Sequence, residues 1–315
     1  MHSGKGESGH TRIETGGSIP GTSAPSYTIK ASCTPPMPVL IAVPHGGRSY
    51  PAEILAEMRD PDFSTLRLED RLIDVLGAEI AQATGATLLT AQAPRAMLDL
   101  NRAREDVDWD MVSGPKPHPI RHSQANRRAR SGLGLVPRRL PGFGEIWRSK
   151  LSRASLDQRI AGIHQPYHAA LGRELDAIRD EWGSALLIDL HSMPPLKPSR
   201  ETGEVAKFVI GDRFGTSCDA GIVSHAYQSL QQKGHSVAHN RPYAGGFVLD
   251  SHSSPRLGIH AIQLEICRST YLDARLEQMT PKSAAIVKLL ASLVRDLGAM
   301  TARLTSRDEL QNAAE

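Results

Sequence analysis

Apolar positions along the chain fall into two spacings. Short, mainly apolar runs occur at "VLIAV" (39–43), "ATLLTAQ" (86–92), "ALLI" (185–188), "KFVIG" (207–211) and "GIHAIQLEI" (258–266). Runs of that length bounded by turn residues read as buried strands. Between them the spacing changes to that of a helix. Leu72, Val75, Leu76 and Ile80 share one helical face that Gly85 ends. A long helix is predicted around Ala154–Trp182 and another around Cys218–Gln231. The closing helix carries Ile286, Leu289, Leu290, Leu293, Val294 and Leu297 on one stripe. Strands that alternate with helices predict a largely parallel or mixed sheet covered on both faces.

The remaining stretches lack either period. Residues 1–36 are rich in Gly, Ser, Thr and Pro and are expected to be a disordered extension. Order is expected from residue 37 to about 302 as one domain, followed by a polar tail over 303–315 that frays. Residues 113–144 are rich in Gly, Pro and Arg and predict a long loop. "KGHSVAHNRPYAGG" predicts a second, polar one.

Composition narrows the class. The chain has 315 residues, enough for one large α/β domain or two small ones. Aromatics make up 4 %, so aliphatic side chains must fill the core. The net charge is +3, and no Lys/Arg run is interleaved with aromatics, so no nucleic-acid partner is expected. Cys33, Cys218 and Cys267 are far apart, with no Cys-x-x-Cys pair, which gives neither a disulfide framework nor a thiolate zinc site. No apolar run reaches the ~18 residues needed to cross a bilayer. The N-terminus lacks the apolar core of a signal peptide, and a reduced cytoplasm is the expected compartment.

The chemistry gathers where strands end, the place where open α/β sheets bind ligands. "VLIAVPHGG" delivers His45 and "AMLDLNR" ends in Asp99, Asn101 and Arg102. "LLIDLHS" ends in Asp189 and His191, while "IQLEICR" carries Glu265 inside an apolar run. Alternation puts Ile262, Leu264 and Ile266 on one face of that last strand and Gln263, Glu265 and Cys267 on the other. A carboxylate so placed needs a partner or stands at a site. Two histidines with carboxylates nearby suit catalytic zinc, which takes such ligands and keeps one position open for water. Adjacent Asn and Arg suit a substrate carboxylate. Ser192 beside His191 lacks the Gly-x-Ser-x-Gly elbow of a serine nucleophile. Tyr243, in a glycine-flanked loop able to cover the site, is a candidate substrate contact, as is Arg138 in the Arg-rich 121–139 loop for an acidic substrate. His168 reads as a packed helix residue.

The stretches "VPHGGRSYP", "EDRLIDVL", "RAMLDLNRA", "YHAAL", "LLIDLHSMP", "VIGDRFGTSC", "NRPYAGGF" and "IQLEICRSTY" resemble, in order, the N-formylglutamate amidohydrolase family over about residues 38–275. The resemblance implies the zinc exopeptidase type of fold, a three-layer α/β/α sandwich with a mixed, largely parallel sheet. It also implies one zinc ion per chain, or another divalent metal, with His45 and His191 as ligands. The related carboxypeptidases carry His-x-x-Glu at the first site. Here the fourth residue is Arg48, so Asp70, in preference to Glu69, is expected as the carboxylate ligand. By the same resemblance Asn101 and Arg102 receive the substrate's α-carboxylate, and Asp99 orients a zinc-bound histidine. Glu265 is the general base, and Asp189 is expected to orient His191 or its neighbours. The implied reaction is hydrolysis of N-formyl-L-glutamate or a similar small acidic N-acyl amino acid. A peptide substrate, or a non-catalytic protein that binds an acidic metabolite, are the competing readings.

Overall fold

The computed structural model of the chain describes residues 11–116, 132–198 and 203–312. Its strands in chain order are β1 Thr11–Gly16, β2 Tyr27–Ser32, β3 Val39–Val43, β4 Thr87–Ala91, β5 Arg139–Leu140, β6 Gly144–Glu145, β7 Ala185–Met193, β8 Phe208–Gly211, β9 Val237–His239 and β10 Ile259–Cys267. The helices are α1 Ala52–Glu57, α2 Pro61–Leu68, α3 Ile73–Thr84, α4 Arg153–Arg159, α5 Gln165–Trp182, α6 Ala220–Gln232, α7 Phe247–His252 and α8 Lys282–Asn312, with a π turn, Ile160–His164, joining α4 to α5. No helix among the described residues is long and apolar enough to cross a membrane.

Eight strands form one mixed sheet in the order β1-β2-β4-β3-β7-β10-β8-β9, and β5 and β6 make a separate hairpin. The central strands β4, β3, β7 and β10 are parallel to one another, so their carboxyl ends share one edge. Antiparallel β1, β2 and β8 flank them. Strand alternation divides the core in two. Val39, Ile41 and Val43 of β3 join α3, α6 and α8 on one side. Leu40 and Ala42 join Tyr167, Leu171, Leu175 and Ile178 of α5 on the other. The three-layer α/β/α expectation therefore holds, and the cause is visible: both faces of each central strand are apolar, so both need a helical cover.

Four local expectations are corrected. Residues 11–36 are part of the domain. In β2, Tyr27, Ile29 and Ala31 are buried while Thr28, Lys30 and Ser32 turn outward, and the strand pairs with β4. Its Gly/Ser/Pro-rich flanks hide this six-residue alternation; residues 1–10 lie outside the described residues. "AMLDLNR" makes no strand, because its backbone groups are taken by turns and side chains: Arg102 N–H donates to Asp99 O at 3.1 Å, and Asn101 N–H to the Asp99 carboxylate at 2.9 Å. The polar loop after α6 holds the edge strand β9. α8 runs on to Asn312, through most of the expected tail. Of the expected Arg-rich loop, 117–131 lies outside the described residues. The three cysteines are free, as expected.

Candidate active site

The sheet turns polar at its carboxyl edge by a change along single faces. On β7, Ala185 and Leu187 pack toward α5, and the next side chains on that face are Asp189 and His191. On β10, Ile259 and Ala261 give way on the same face to Gln263 and Glu265. The strands are in parallel register, with Gln263 opposite Asp189 and Glu265 opposite His191. Two apolar faces thus end in a block of four buried polar groups.

His45 reaches this block from the turn after β3. Asp70 enters from the segment between α2 and α3, where its N–H donates to the His45 carbonyl at 3.0 Å. The ligand atoms of His45, Asp70 and His191 all lie within 4.8 Å of one another, and the three residues are buried. His191 Nδ1 is 3.0 Å from Asp70 Oδ2, and His45 Nδ1 is 3.7 Å from the same oxygen. The other nitrogen of each ring meets an acid: His45 Nε2 lies 2.7 Å from Asp99, and His191 Nε2 lies 2.9 Å from Asp189.

A carboxylate accepts only, so in neutral rings each Nε2 donates to its acid and each Nδ1 keeps a bare lone pair. His45 Nδ1 is buried with no hydrogen-bond partner. His191 Nδ1 points its lone pair at a carboxylate oxygen, which requires a proton or a metal ion between them. A histidine whose far nitrogen is tied to a carboxylate is the usual arrangement of a zinc ligand. The residues present therefore fit a divalent ion with an N, N, O donor set. Glu69, the alternative to Asp70, pairs with Arg71 at 3.1 Å instead.

Charge is distributed to match. Burial works against ionised Asp70, but the imidazoles of His191 and His45 facing it outweigh that and hold the carboxyl well below its usual range. Burial likewise opposes ionised Asp99, and Arg95 and His45 override it. Burial disfavours a charged His191, yet Asp189 raises its pKa well above that of a free imidazole. Glu265 goes the other way: burial pushes it up from 4.5 to about 7, partly opposed by His191. A carboxyl that exchanges its proton near neutrality is suited to acid–base work.

His45, Asp70, His191 and Glu265 line a cavity of about 140 Å³ together with Arg67, Arg95, Asn101, Arg102, Tyr243, Gly246, Gln263 and Arg268. That volume suits a molecule of amino-acid size. A chain of amides crosses its floor. Gln263 donates to Glu265 at 3.0 Å, Asn101 donates to Gln263 at 3.2 Å, and the Val248 N–H donates to Asn101 Oδ1 at 3.1 Å. Gly246 has no alternative there, because a Cβ would stand 2.5 Å from Asn101 Oδ1. Arg102 donates to the carbonyls of Leu133 at 3.1 Å and Asn101 at 2.7 Å. Arg138 is the expected contact that the structure puts elsewhere. It is paired with Asp108 at 3.0 Å and does not line the cavity, because the described hairpin turns it toward that acid.

Among the lining arginines that escaped the sequence reading are Arg95 and Arg268. Arg95 holds Asp99 Oδ2 through Nε at 3.0 Å and Nη2 at 2.9 Å while facing the cavity. Arg268 reaches Asp70 Oδ1 at 3.3 Å and Ser192 Oγ at 3.1 Å, and also donates to the Glu69 carbonyl. Both stand inside stretches already singled out, "RAMLDLNR" and "EICR". What was lacking was any local sign that their partners would be buried acids.

Residues 37–272 match the sequence profile of the N-formylglutamate amidohydrolase family. The N-formylglutamate deformylase of Pseudomonas putida is 28% identical over 275 residues, which cover 82% of this chain and 92% of that protein. The crystal structure of N-formylglutamate amidohydrolase from Ralstonia eutropha JMP134 superposes with a TM-score of 0.75 at 29% identity, covering 90% of this chain and 98% of that one. An Agrobacterium tumefaciens protein, 16% identical with a TM-score of 0.63 over 86% of this chain and 94% of its own, shares the fold. With residues 37–272, most of the chain, matched by the family profile, this chain belongs to the N-formylglutamate amidohydrolase family and is a hydrolase of amide bonds.

Proposed function

We propose that the chain is a metal-dependent enzyme that hydrolyses N-formyl-L-glutamate to formate and L-glutamate. The observation that carries this reading is the pair of Nδ1 atoms, on His45 and His191, facing one oxygen of Asp70 while Asp99 and Asp189 hold the far side of each ring. A zinc ion, or another divalent metal, would be held by those three residues and would supply Lewis-acid polarisation and a water of lowered pKa. The names of the Pseudomonas and Ralstonia relatives support the choice of substrate.

The remaining chemistry belongs to the protein. Glu265 takes a proton from the attacking water as its oxygen bonds to the formyl carbon, and returns that proton to the amine as the C–N bond breaks. Arg95 lines the cavity, a positive charge available to the charge that develops on the formyl oxygen. Asn101 and Arg102, in the same lining, receive the α-carboxylate, and Tyr243 offers a further substrate contact. A purely binding protein has no use for a carboxyl held near neutral pKa beside His191, which favours the enzymatic reading.

The test is formate release from N-formyl-L-glutamate by zinc-reconstituted protein, with H191A alongside. Formate from the wild type and none from the variant supports the proposal. No formate from folded, metal-loaded wild type sinks it, and a panel of N-acetyl amino acids and dipeptides then decides among other acyl substrates.

A further inference from the structure

Against the Leu100–Arg102 backbone, and outside the cavity lining, lies a second histidine group with no part in the chemistry above. His168 Nε2 is 3.0 Å from the Leu100 carbonyl, and His164 Nε2 is 2.9 Å from the Arg102 carbonyl. Arg102 itself donates to the Asn101 carbonyl at 2.7 Å. Three successive carbonyls are therefore each held by a side-chain N–H. A carbonyl cannot donate, so His168 carries its proton on Nε2, and its Nδ1 accepts from His252 Nε2 at 2.9 Å. His252 ends α7, and the Val248 N–H in the first turn of α7 donates to Asn101 Oδ1. A closed ring of contacts results, running Asn101, Val248, His252, His168, Leu100 and back to Asn101.

The π turn Ile160–His164 stands directly before α5, and such turns recur at functional positions. The rings of His164 and His168 lie with centroids 4.3 Å apart, tilted by 48°, and Phe247 packs on both. Burial lowers the pKa of His168 well below that of free histidine and that of His252 to about 4. The neutral, directed hydrogen bonds therefore persist at neutral pH.

We infer that His168 is a positioning residue: with His252 it locks the Leu100–Arg102 backbone to α7 and so sets Asn101 and Arg102 in register for the substrate α-carboxylate. The inference rests on the assignment of Asn101 and Arg102 to that carboxylate. It predicts a loss confined to one end of the substrate.

The experiment compares H168Q and H168L with wild type in the zinc-loaded enzyme. Gln keeps an N–H for the Leu100 carbonyl, whereas Leu keeps only volume. The readouts are kcat and KM for N-formyl-L-glutamate, and the inhibition constant of N-formyl-4-aminobutyrate, the same molecule without its α-carboxylate. H168L is expected to raise KM about tenfold while kcat stays within about threefold. Its inhibition constant for N-formyl-4-aminobutyrate should change less than about twofold, and H168Q should recover most of KM. Equal losses toward both ligands, an unchanged KM, or an H168Q no better than H168L would overturn the inference and leave the proposed function standing. A wild type that releases no formate removes the proposed function, and this inference with it.

Discussion

His191 and Glu265 are register neighbours on the parallel strands β7 and β10 and project from the same face of the sheet. Adjacent parallel strands lie about 4.8 Å apart, so the Glu265 carboxyl stands one strand away from the His191 imidazole. Backbone pairing, and no loop, sets that separation. A site held this way resists the small displacements that cost catalysis heavily.

Replacing Glu265 with Gln keeps the shape and the Gln263 contact but removes the proton carrier. We expect kcat to fall by about 10²–10⁴-fold, the usual worth of general acid–base help, with zinc content unchanged. Steady-state formate release together with metal analysis checks it. Activity near wild type would remove Glu265 from the reaction.

The same residue makes the metal-free protein sensitive to pH. Glu265 titrates near 4.5 when unfolded and about 7 when folded, so the folded state binds more protons between those values. Stability therefore falls as pH rises from 4.5 to 7, by up to about 3 kcal/mol from this group, and is flat in this respect above 7. Denaturant melts of the apo-protein at pH 5 and pH 8 should show a larger drop for wild type than for E265Q. Equal drops would mean that Glu265 ionises at its ordinary pKa.

Asp99 tests the support of His45. It accepts from His45, from both nitrogens of the Arg95 fork and from the Asn101 backbone. D99N removes the charge and is expected to weaken metal affinity about 10–100-fold, the common cost of losing an outer partner of a ligand. Competition with a chelator measures it; an unchanged affinity would mean that His45 is oriented by packing alone.

Ile29 tests the N-terminal strands. It is fully buried in β2, inside the core shared with α5. I29A should destabilise the protein by about 2–5 kcal/mol, as deletion of a core aliphatic does. A loss below about 0.5 kcal/mol, the usual limit for surface substitutions, would return residues 11–36 to the status of a dispensable extension.

The sequence by itself determined the elements whose cause is local. Apolar runs made β3, β4, β7, β8 and β10 legible, because a strand covered on both faces is largely apolar until it reaches the polar carboxyl edge of the sheet. Helical stripes did the same for α3, α5 and α8, and the alternation around Glu265 already put it on one face with Gln263. His45 and His191 were legible as site candidates because each follows directly on a run of buried apolar residues. Only the tertiary structure decided what meets what. Asp70 and His191 are 121 residues apart, and nothing near either one names the other. Arg138 and Arg95 look alike in sequence, yet one is neutralised by Asp108 at a distance from the cavity and the other holds Asp99 inside it. The strand-like "AMLDLNR" was claimed by side-chain donors from α5 and the π turn before it, and β2 emerged from a polar context by pairing with β4. Periodicity reports the environment of a residue, buried or exposed. The partner in that environment is chosen by chain segments far away in sequence, and the fold alone brings them together.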